Sequence, residues 1–514
     1  MNQEDRNLAQ LPVGWVWAKL ADIANVDNGF AFKSCDYQKE GVPITRISNI
    51  KNGHVDLLND VVYVKKEMVR KCSSFQVRNG DILIALSGAT TGKFGSYDGS
   101  KVSLLNQRVG RIVSNNSYIS QKYLLLYLAI VQNLILKNAY GAAQPNISTR
   151  ELGEINIPIA SLSEQIRIIA KVEELFSFFD AGIESLRKVQ AQLIRYRQTI
   201  LNSALEGKLT EDWRKSHKEY VESAGQLLLE ISKNRRDQWE EDQLFRIKQS
   251  GRNPRNEQWK TKYRNPIEPE TNGLPKLPAG WIWVTLDQIT WLVRDGLHFS
   301  PEYSEEGIPF ITGGNVRSSG VDFENSRRIS EKLHLQLSKR VKPELGDILY
   351  TKGGTTGIAR VNTYSREFSI WVHVALLKLV KPMDPFYVQH ALNSPFCYAQ
   401  SQRFTHGVGN QDLGLTRMIK IVLSLPPFAE QKEVVSIVDR LQSIADQTEK
   451  IIEENIRNAE QLRQSILKTA FNGKLVSQDP NDEPAENLLE RIKTQQIQKK
   501  SNFDNQVEFS CHVK

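Results

Sequence analysis

From Ser163 to Glu206 the chain contains no proline, and its apolar residues recur in alternating steps of three and four. Ile169, Val172, Phe176, Phe179, Ile183 and Leu186 fill successive a and d positions of a heptad. Gln190 interrupts the stripe, Leu193 resumes it, Arg197 interrupts again, and Ile200 and Ala204 close it. A second stretch keeps the register through Val435, Val438, Ala445, Ile452, Ile456, Ala459, Ile466 and Ala470, with polar Gln442 and Glu449 at seam positions. Runs of this length predict helices of roughly 60 Å, well beyond the ordinary range of core helices. A lone helix would leave such a stripe in water. The two are therefore predicted to pack on each other as an antiparallel coiled coil. Ser161 with Glu164 three residues later fits a capping box, and Gly207 and Gly473 fit helix stops.

Elsewhere the pattern is different. Short apolar runs punctuated by Gly, Asn and Asp predict strands at Val42–Ile50, Ile82–Leu86, Ile308–Ile311 and Ile348–Thr351. Leu124, Tyr127, Leu128, Val131, Leu134 and Ile135 are spaced as on a helix facing a core. That stretch, Tyr123–Leu136, is broken by Gln132 and Asn133 and is too short to span a membrane. The fold class that follows is α+β. Two globular domains, 1–160 and 277–426, are each followed by a long helix, 161–207 and 427–473. A polar, partly helical linker, 208–276, joins the halves, and a polar tail, 474–514, frays from Lys493.

The halves are copies of one another. Leu11-Pro-Val-Gly-Trp-Val-Trp17 returns as Leu277-Pro-Ala-Gly-Trp-Ile-Trp283, a displacement of 266 residues (277 − 11). Gly41-Val-Pro-Ile44, Gly80-Asp-Ile-Leu83, Glu164-Gln165 and Gly207-Lys-Leu209 recur at the same displacement. This is a duplicated domain, a pseudo-twofold internal repeat, and two similar surfaces on one chain suit a two-part ligand.

Composition adds a partner class. The net charge of +8 favours a polyanion such as nucleic acid. Cys35, Cys72, Cys397 and Cys511 form no CxxC pair and read as reduced thiols. Met1–Arg6 lacks the apolar segment of a secretory signal, and a cytoplasmic protein is expected. Enzyme motifs fail on inspection. Gly88-Ala-Thr-Thr-Gly-Lys93 lacks the first Gly and the final Ser or Thr of a P-loop, and reads as a turn whose N–H groups can meet a DNA phosphate. Leu425-Pro-Pro-Phe428 begins with a residue unable to accept a bond from a target amine, and no Gly-rich cofactor loop precedes it. Gly407-Val-Gly409 lacks the third glycine of a dinucleotide fingerprint. The histidines share no spacing with acids or cysteines, so neither a metal nor a catalytic site is expected. The chain reads as a binding and scaffolding protein.

The whole arrangement resembles the specificity subunit of type I restriction-modification enzymes. The likeness is carried by Leu11–Trp17, Gly80–Ile84, Gly141-Ala-Ala-Gln-Pro-Asn-Ile147 with Ile157-Pro158, and Ser163-Glu-Gln165 opening a helix that ends Glu206-Gly-Lys-Leu209. In the second half it is carried by Leu277–Trp283, Gly346–Leu349, Ala429-Glu-Gln431 and Asn472–Leu475. Gly407–Leu413 departs from it by lacking Gln-Pro-Asn. The resemblance implies a subunit without catalytic activity, in which two target-recognition domains each read half of an asymmetric bipartite site on double-stranded DNA. It also implies that the helices fix the gap and dock two modification (methyltransferase) subunits that use S-adenosylmethionine, and that restriction subunits use ATP and magnesium. Rigidly spaced readers meeting successive major grooves, roughly 34 Å apart, agree with that division of labour. A coiled-coil adaptor that does not read DNA is the alternative; an intrinsic methyltransferase is disfavoured by the missing cofactor loop.

Base readers should be Arg, Lys, Asn or Gln on loops beside the strands. In the first domain Lys33, Arg46, Asn49 and Lys51 are the candidates, with Thr90, Thr91 and Lys93 on the glycine loop. In the second they are Thr312, Asn315 and Arg317, with Thr355, Thr356 and Arg360.

Overall fold

Each Leu-Pro-Xaa-Gly-Trp segment folds as a turn. The Trp15 N–H donates to the Pro12 carbonyl at 3.1 Å, and that of Trp281 to Pro278 at 3.1 Å. The third turn residue, Gly14 or Gly280, sits at φ 79° or 85°, where a β-carbon would be strained. The strands that follow, Val16–Lys19 and Ile282–Thr285, pair antiparallel with Asn156–Ile159 and Val422–Leu425. Each globular body is thereby zipped at its two ends, and the chain passes from the closing strand directly into a long helix.

The structure, a computed structural model, describes residues 11–88, 90–99, 101–114, 117–139, 145–217, 223–249, 251, 256–407, 409, 411–495 and 497–498. Two compact units emerge: residues 1–186 with 453–514, and residues 187–452. The division cuts through both long helices rather than through the linker, so each unit contains one globular body and half of each helix.

In the first unit a five-stranded sheet runs in the order Ala24–Asn28, Val109–Ser114, Ile82–Ala85, Phe94–Ser96, Gly53–His54. A four-stranded sheet runs Val62–Val64, Val42–Thr45, Ser103–Leu105, Gln76–Val77. The predicted helix spans Gln121–Ala139 and buries Leu124, Leu128 and Ile135 against Ile82, Ile84 and Ile112. The second unit repeats the plan with Thr290–Asp295, Val374–Leu379, Ile348–Thr351 and Ala359–Val361 in one sheet, and Arg327–Ile329, Ile308–Ile311 and Ser369–Ile370 in another.

The long helices are Leu162–Leu205 and Phe428–Phe471, 44 residues each. Every heptad position from Ile169 to Ile200 is buried or half-buried, including Phe179, Ile183, Leu186 and Leu193. The same holds for Val435, Val438, Ala445, Ile452, Ile456, Ala459 and Ile466. In the first unit Ile169 and Val172 share a core with Leu467 and Ala470, and Phe176 and Ile466 border it. Arg463 lies 5.1 Å from the Phe176 ring centroid and pairs with Asp180. In the second unit Ile200 and Ala204 share a core with Val434 and Val438, and Arg197 forks between Asp446 and Glu449, 2.8 Å from the latter. Within each unit the helix halves therefore run antiparallel. The polar interruptions Arg197 and Glu449 answer each other.

Gly207 and Gly473 stop the helices as expected, with Lys208 N–H donating to the Ser203 carbonyl at 2.9 Å and Lys474 N–H to Thr469 at 3.0 Å. The capping box is half formed. Ser161 Oγ accepts from Glu164 N–H at 3.0 Å, but the Glu164 carboxylate turns away to accept from the Trp15 indole at 3.0 Å. The linker is more ordered than its polarity suggests. Its helix Ala224–Gln249 buries Leu227 and Ile231, Trp239 stacks on Trp259 at 6.1 Å, and Arg235 pairs with Asp287 at 3.1 Å. The predicted fraying from Lys493 falls largely outside the described residues. Among the described residues no helix is long and apolar enough to cross a membrane. Cys72 and Cys397 are buried and unpaired, and Cys35 is exposed.

Candidate nucleic-acid interface

The predicted strand Val42–Ile50 ends early, at Thr45, and becomes a 3-10 turn at Ile47–Asn49. The Asn49 side chain is the cause: Oδ1 accepts from Arg46 N–H at 3.0 Å and Nδ2 donates to the Asn59 carbonyl at 3.2 Å. These bonds draw the backbone out of the ladder. Asn315 makes the equivalent turn, accepting from Thr312 N–H at 3.0 Å and donating to Asp322 at 3.2 Å. Against this turn lies the glycine loop, where Thr90 Oγ1 donates to the Ile47 carbonyl at 3.4 Å. In the second unit a β-carbon on Gly313 would stand 3.1 Å from the Gly353 carbonyl oxygen. A third segment completes each cluster. Ile147 N–H donates to the Leu86 carbonyl at 2.9 Å, and Leu413 N–H to Lys352 at 2.7 Å.

The structure brings most of the predicted residues together, but in two kinds of place. Asn49, Thr91, Asn315 and Thr356 are buried. Thr91 Oγ1 donates to the Gly88 carbonyl at 2.6 Å, and Thr356 Oγ1 meets Thr405 Oγ1 at 3.2 Å. In the fold the polar atoms of these four predicted contacts meet groups of the protein itself and build the loops. Lys33, Lys51, Lys93, Arg317 and Thr355 are exposed, and Arg46, Thr90, Thr312 and Arg360 are half-buried. Lys33 lies apart on the 3-10 turn Ser34–Asp36. Arg46 is held by the Asp60 carbonyl at 2.9 Å and its carboxylate at 3.3 Å, and Arg317 by Asp322 at 2.9 Å. Arg360 opens into a cleft of about 730 Å³ bordered by Ser318, Tyr398, Arg197 and Glu449.

A model of the type I restriction modification DNA specificity domain matches residues 12–193 and again residues 279–458. The chain belongs to that family. Like its relatives it is a specificity subunit, and specificity subunits are not catalytic. It is 25% identical over 511 residues to the specificity subunit of the type I restriction enzyme EcoBI of Escherichia coli, covering 96% of this chain and 95% of the relative. It is 26% identical over 524 residues to the EcoKI specificity subunit of E. coli strain K12, covering 95% and 96%. A chain from a solved structure concerned with assembly and conformational transition of the type I R-M system shares the fold, with a TM-score of 0.60 and 16% identity, over 90% of this chain and 99% of that one.

The loop clusters of this specificity subunit contain groups that composition did not single out. Lys352 is buried beside Asp412 and Asp295, and His298 Nε2 meets Asp295 Oδ1 at 3.0 Å. Burial, followed by the Lys352 ammonium, holds the His373 imidazole below its ordinary range. In the first unit the largely buried Arg111 bonds Asp27 at 3.1 Å and the Gln76 carbonyl at 2.8 Å. Among the described residues no group of three or more His, Cys, Asp or Glu side chains could hold a metal.

Proposed function

We propose that each unit reads one half of a bipartite, asymmetric site on double-stranded DNA, and that the paired helices fix the gap and dock two modification subunits. The chain assembles with methyltransferase and restriction subunits, which use S-adenosylmethionine, and ATP with magnesium, respectively. The observation that carries the reading is the three-loop cluster, built twice on one backbone frame and furnished with different side chains. Arg46, Lys51 and Lys93 line one copy; Arg317, Thr355 and Arg360 line the other. A constant frame with variable side chains is what two readers of two different half-sites require. Exposed cations supply phosphate contacts, and guanidinium groups held in place by Asp60 and Asp322 can meet a guanine edge at two points. The adaptor alternative has no comparable support.

The test is to map methylated adenines in DNA from cells carrying this gene with its modification partner. A single motif of two defined half-sites separated by a fixed unspecified gap is expected. Methylation without a shared motif, or within one contiguous half-site, would refute the reading.

A further inference from the structure

The two loop clusters share a frame but differ in charge at three matched positions. Ala375 pairs with Asp295 where Gly110 pairs with Asn28, so Asp295 corresponds to Asn28. Lys352 corresponds to Leu86, since each carbonyl accepts from the third loop, from Leu413 N–H and Ile147 N–H respectively. Asp412 corresponds to Asn146, because Gly353 bridges Asp412 as Ser87 bridges Asn146. Asn–Leu–Asn in the first unit is thus Asp–Lys–Asp in the second. The Lys352 side chain is 6% exposed, with Nζ 2.8 Å from Asp412 Oδ1 and 3.5 Å from Asp295 Oδ2. Asp295 also meets Arg340 at 3.3 Å and His298 at 3.0 Å. Asp412 is the outer member, its side chain 45% exposed. Its carbonyl accepts from Arg417 Nη2 at 2.8 Å.

Resting on the DNA reading above, we propose that Lys352 and Asp412 are positioning residues for the second half-site. The ion pair clasps Asp412, which stands where the first domain has Asn146, onto the root of the glycine loop. Lys352 immediately precedes Gly353 and Gly354, so one ammonium sets the third loop and the glycine loop together. A buried ammonium must keep its carboxylates close, because separation leaves a charge in low dielectric. That requirement holds Asp412 against the root of the glycine loop. The first unit achieves a similar register with neutral groups, so the two half-sites are held by different physics.

The experiment uses the full chain assembled with its modification subunits. The probes are duplexes bearing the motif from the methylation map, and the same duplexes with one base pair changed in either half-site. Asp412→Asn leaves Lys352 paired with Asp295, so it keeps the fold. It should cut discrimination about tenfold at one half-site, leaving the other half-site, the affinity for unrelated DNA and the unfolding midpoint unchanged. Asp295→Asn/Lys352→Leu/Asp412→Asn copies the first unit's residues, strands no buried charge, and should lose discrimination at the same half-site. Lys352→Arg keeps the charge and should retain it. Undiminished discrimination at both half-sites in Asp412→Asn and in the triple variant would overturn the proposal, as would equal loss at both. If the unmodified complex fails to discriminate at either half-site, the DNA reading itself falls, a result distinct from either of these.

Discussion

Glu164 and Glu430 open their helices from matched positions and accept from matched indoles, Trp15 at 3.0 Å and Trp281 at 2.8 Å. Both carboxylates are buried. Their second oxygens meet opposite fates. Glu430 Oε1 accepts from Thr210 Oγ1 at 2.6 Å and pairs with Arg214, whose guanidinium also lies 5.6 Å from the Trp281 ring centroid. Among the described residues Glu164 Oε1 has no partner at hydrogen-bond geometry; the nearby Gln478, whose amide donates to the Val13 carbonyl at 3.0 Å, and the Arg167 charge only partly favour the carboxylate. Burial accordingly raises the Glu164 pKa above its ordinary value, against the opposing pull of the Trp15 bond. The repeated motif builds the same hub twice, and residues outside the motif decide whether the charge in it is compensated.

Removing each carboxylate's charge should break the symmetry of the pair. Glu430→Gln leaves the largely buried Arg214 guanidinium without its counter-charge and should destabilise the second unit by about 3 kcal/mol. Glu164→Gln keeps an acceptor for the Trp15 indole and should cost less than about 1 kcal/mol at neutral pH, or stabilise. Hydrogen exchange of amides in 282–289 against 16–23 separates the two effects. The sign with pH is fixed by the raised value. A folded state that binds the proton more tightly is favoured below the unfolded value of 4.5, and that advantage is lost as pH rises through the folded value. The first unit should therefore lose stability across that window, and Glu164→Gln should remove this component. Equal protection losses in the two variants would contradict the comparison.

The heptads were legible because burial follows sequence spacing directly: the positions from Ile169 to Ile200 alternate as a stripe and are buried or half-buried. The repeat and the family were legible for a similar reason, since turn, strand and cap residues recur at one displacement. The compensating partners of Glu430 were not, because Thr210 and Arg214 are more than 200 positions away and nothing local marks them. The charged clasp was hidden by a one-residue shift. A bulge between Thr290 and Leu292 offsets the strand, so a displacement of 266 sets Asp295 against Gly29 instead of Asn28. The burial of Asn49 and Asn315 in their turns was not legible, because their commitment to backbone groups is a property of the folded loop.

The helix halves sharpen the contrast at a smaller scale. In the first unit the seam is apolar at Phe176 and Ile466; in the second it is polar at Arg197 and Glu449. Phe176→Ala should cost about 2 kcal/mol, since it removes half-buried aromatic area and the ring that Arg463 covers. Arg197→Met should change stability by less than about 1 kcal/mol, because its partners Asp446 and Glu449 are 61% and 38% exposed and solvent already screens the pair. Chemical unfolding of the two full-length variants measures both. A larger loss from Arg197→Met would mean that the polar seam, rather than the apolar one, holds the helices.

The last contrast concerns the two glycine loops. Ala85 N–H donates to the Lys93 carbonyl at 2.8 Å, and Thr351 N–H to the Ile358 carbonyl at 2.9 Å, so Lys93 and Ile358 are counterparts. Lys93 is exposed and has no ion pair among the described residues, whereas Ile358 packs against the core that contains Leu349 and Leu376. A free ammonium beside a glycine turn is suited to a phosphate and carries no base information. Lys93→Ile, which installs the second unit's residue, should weaken binding of every duplex alike and lower the slope of log affinity against log salt by about one unit. Discrimination at both half-sites should persist. Arg46→Ala is the contrasting change: with the Asp60-held guanidinium gone, discrimination should relax at one base pair by roughly 1–3 kcal/mol while the salt slope moves less. Titrations at several salt concentrations decide between them. If Lys93→Ile altered sequence choice without altering the slope, the lysine would be a reader and the assignment of roles within the cluster would have to be reversed.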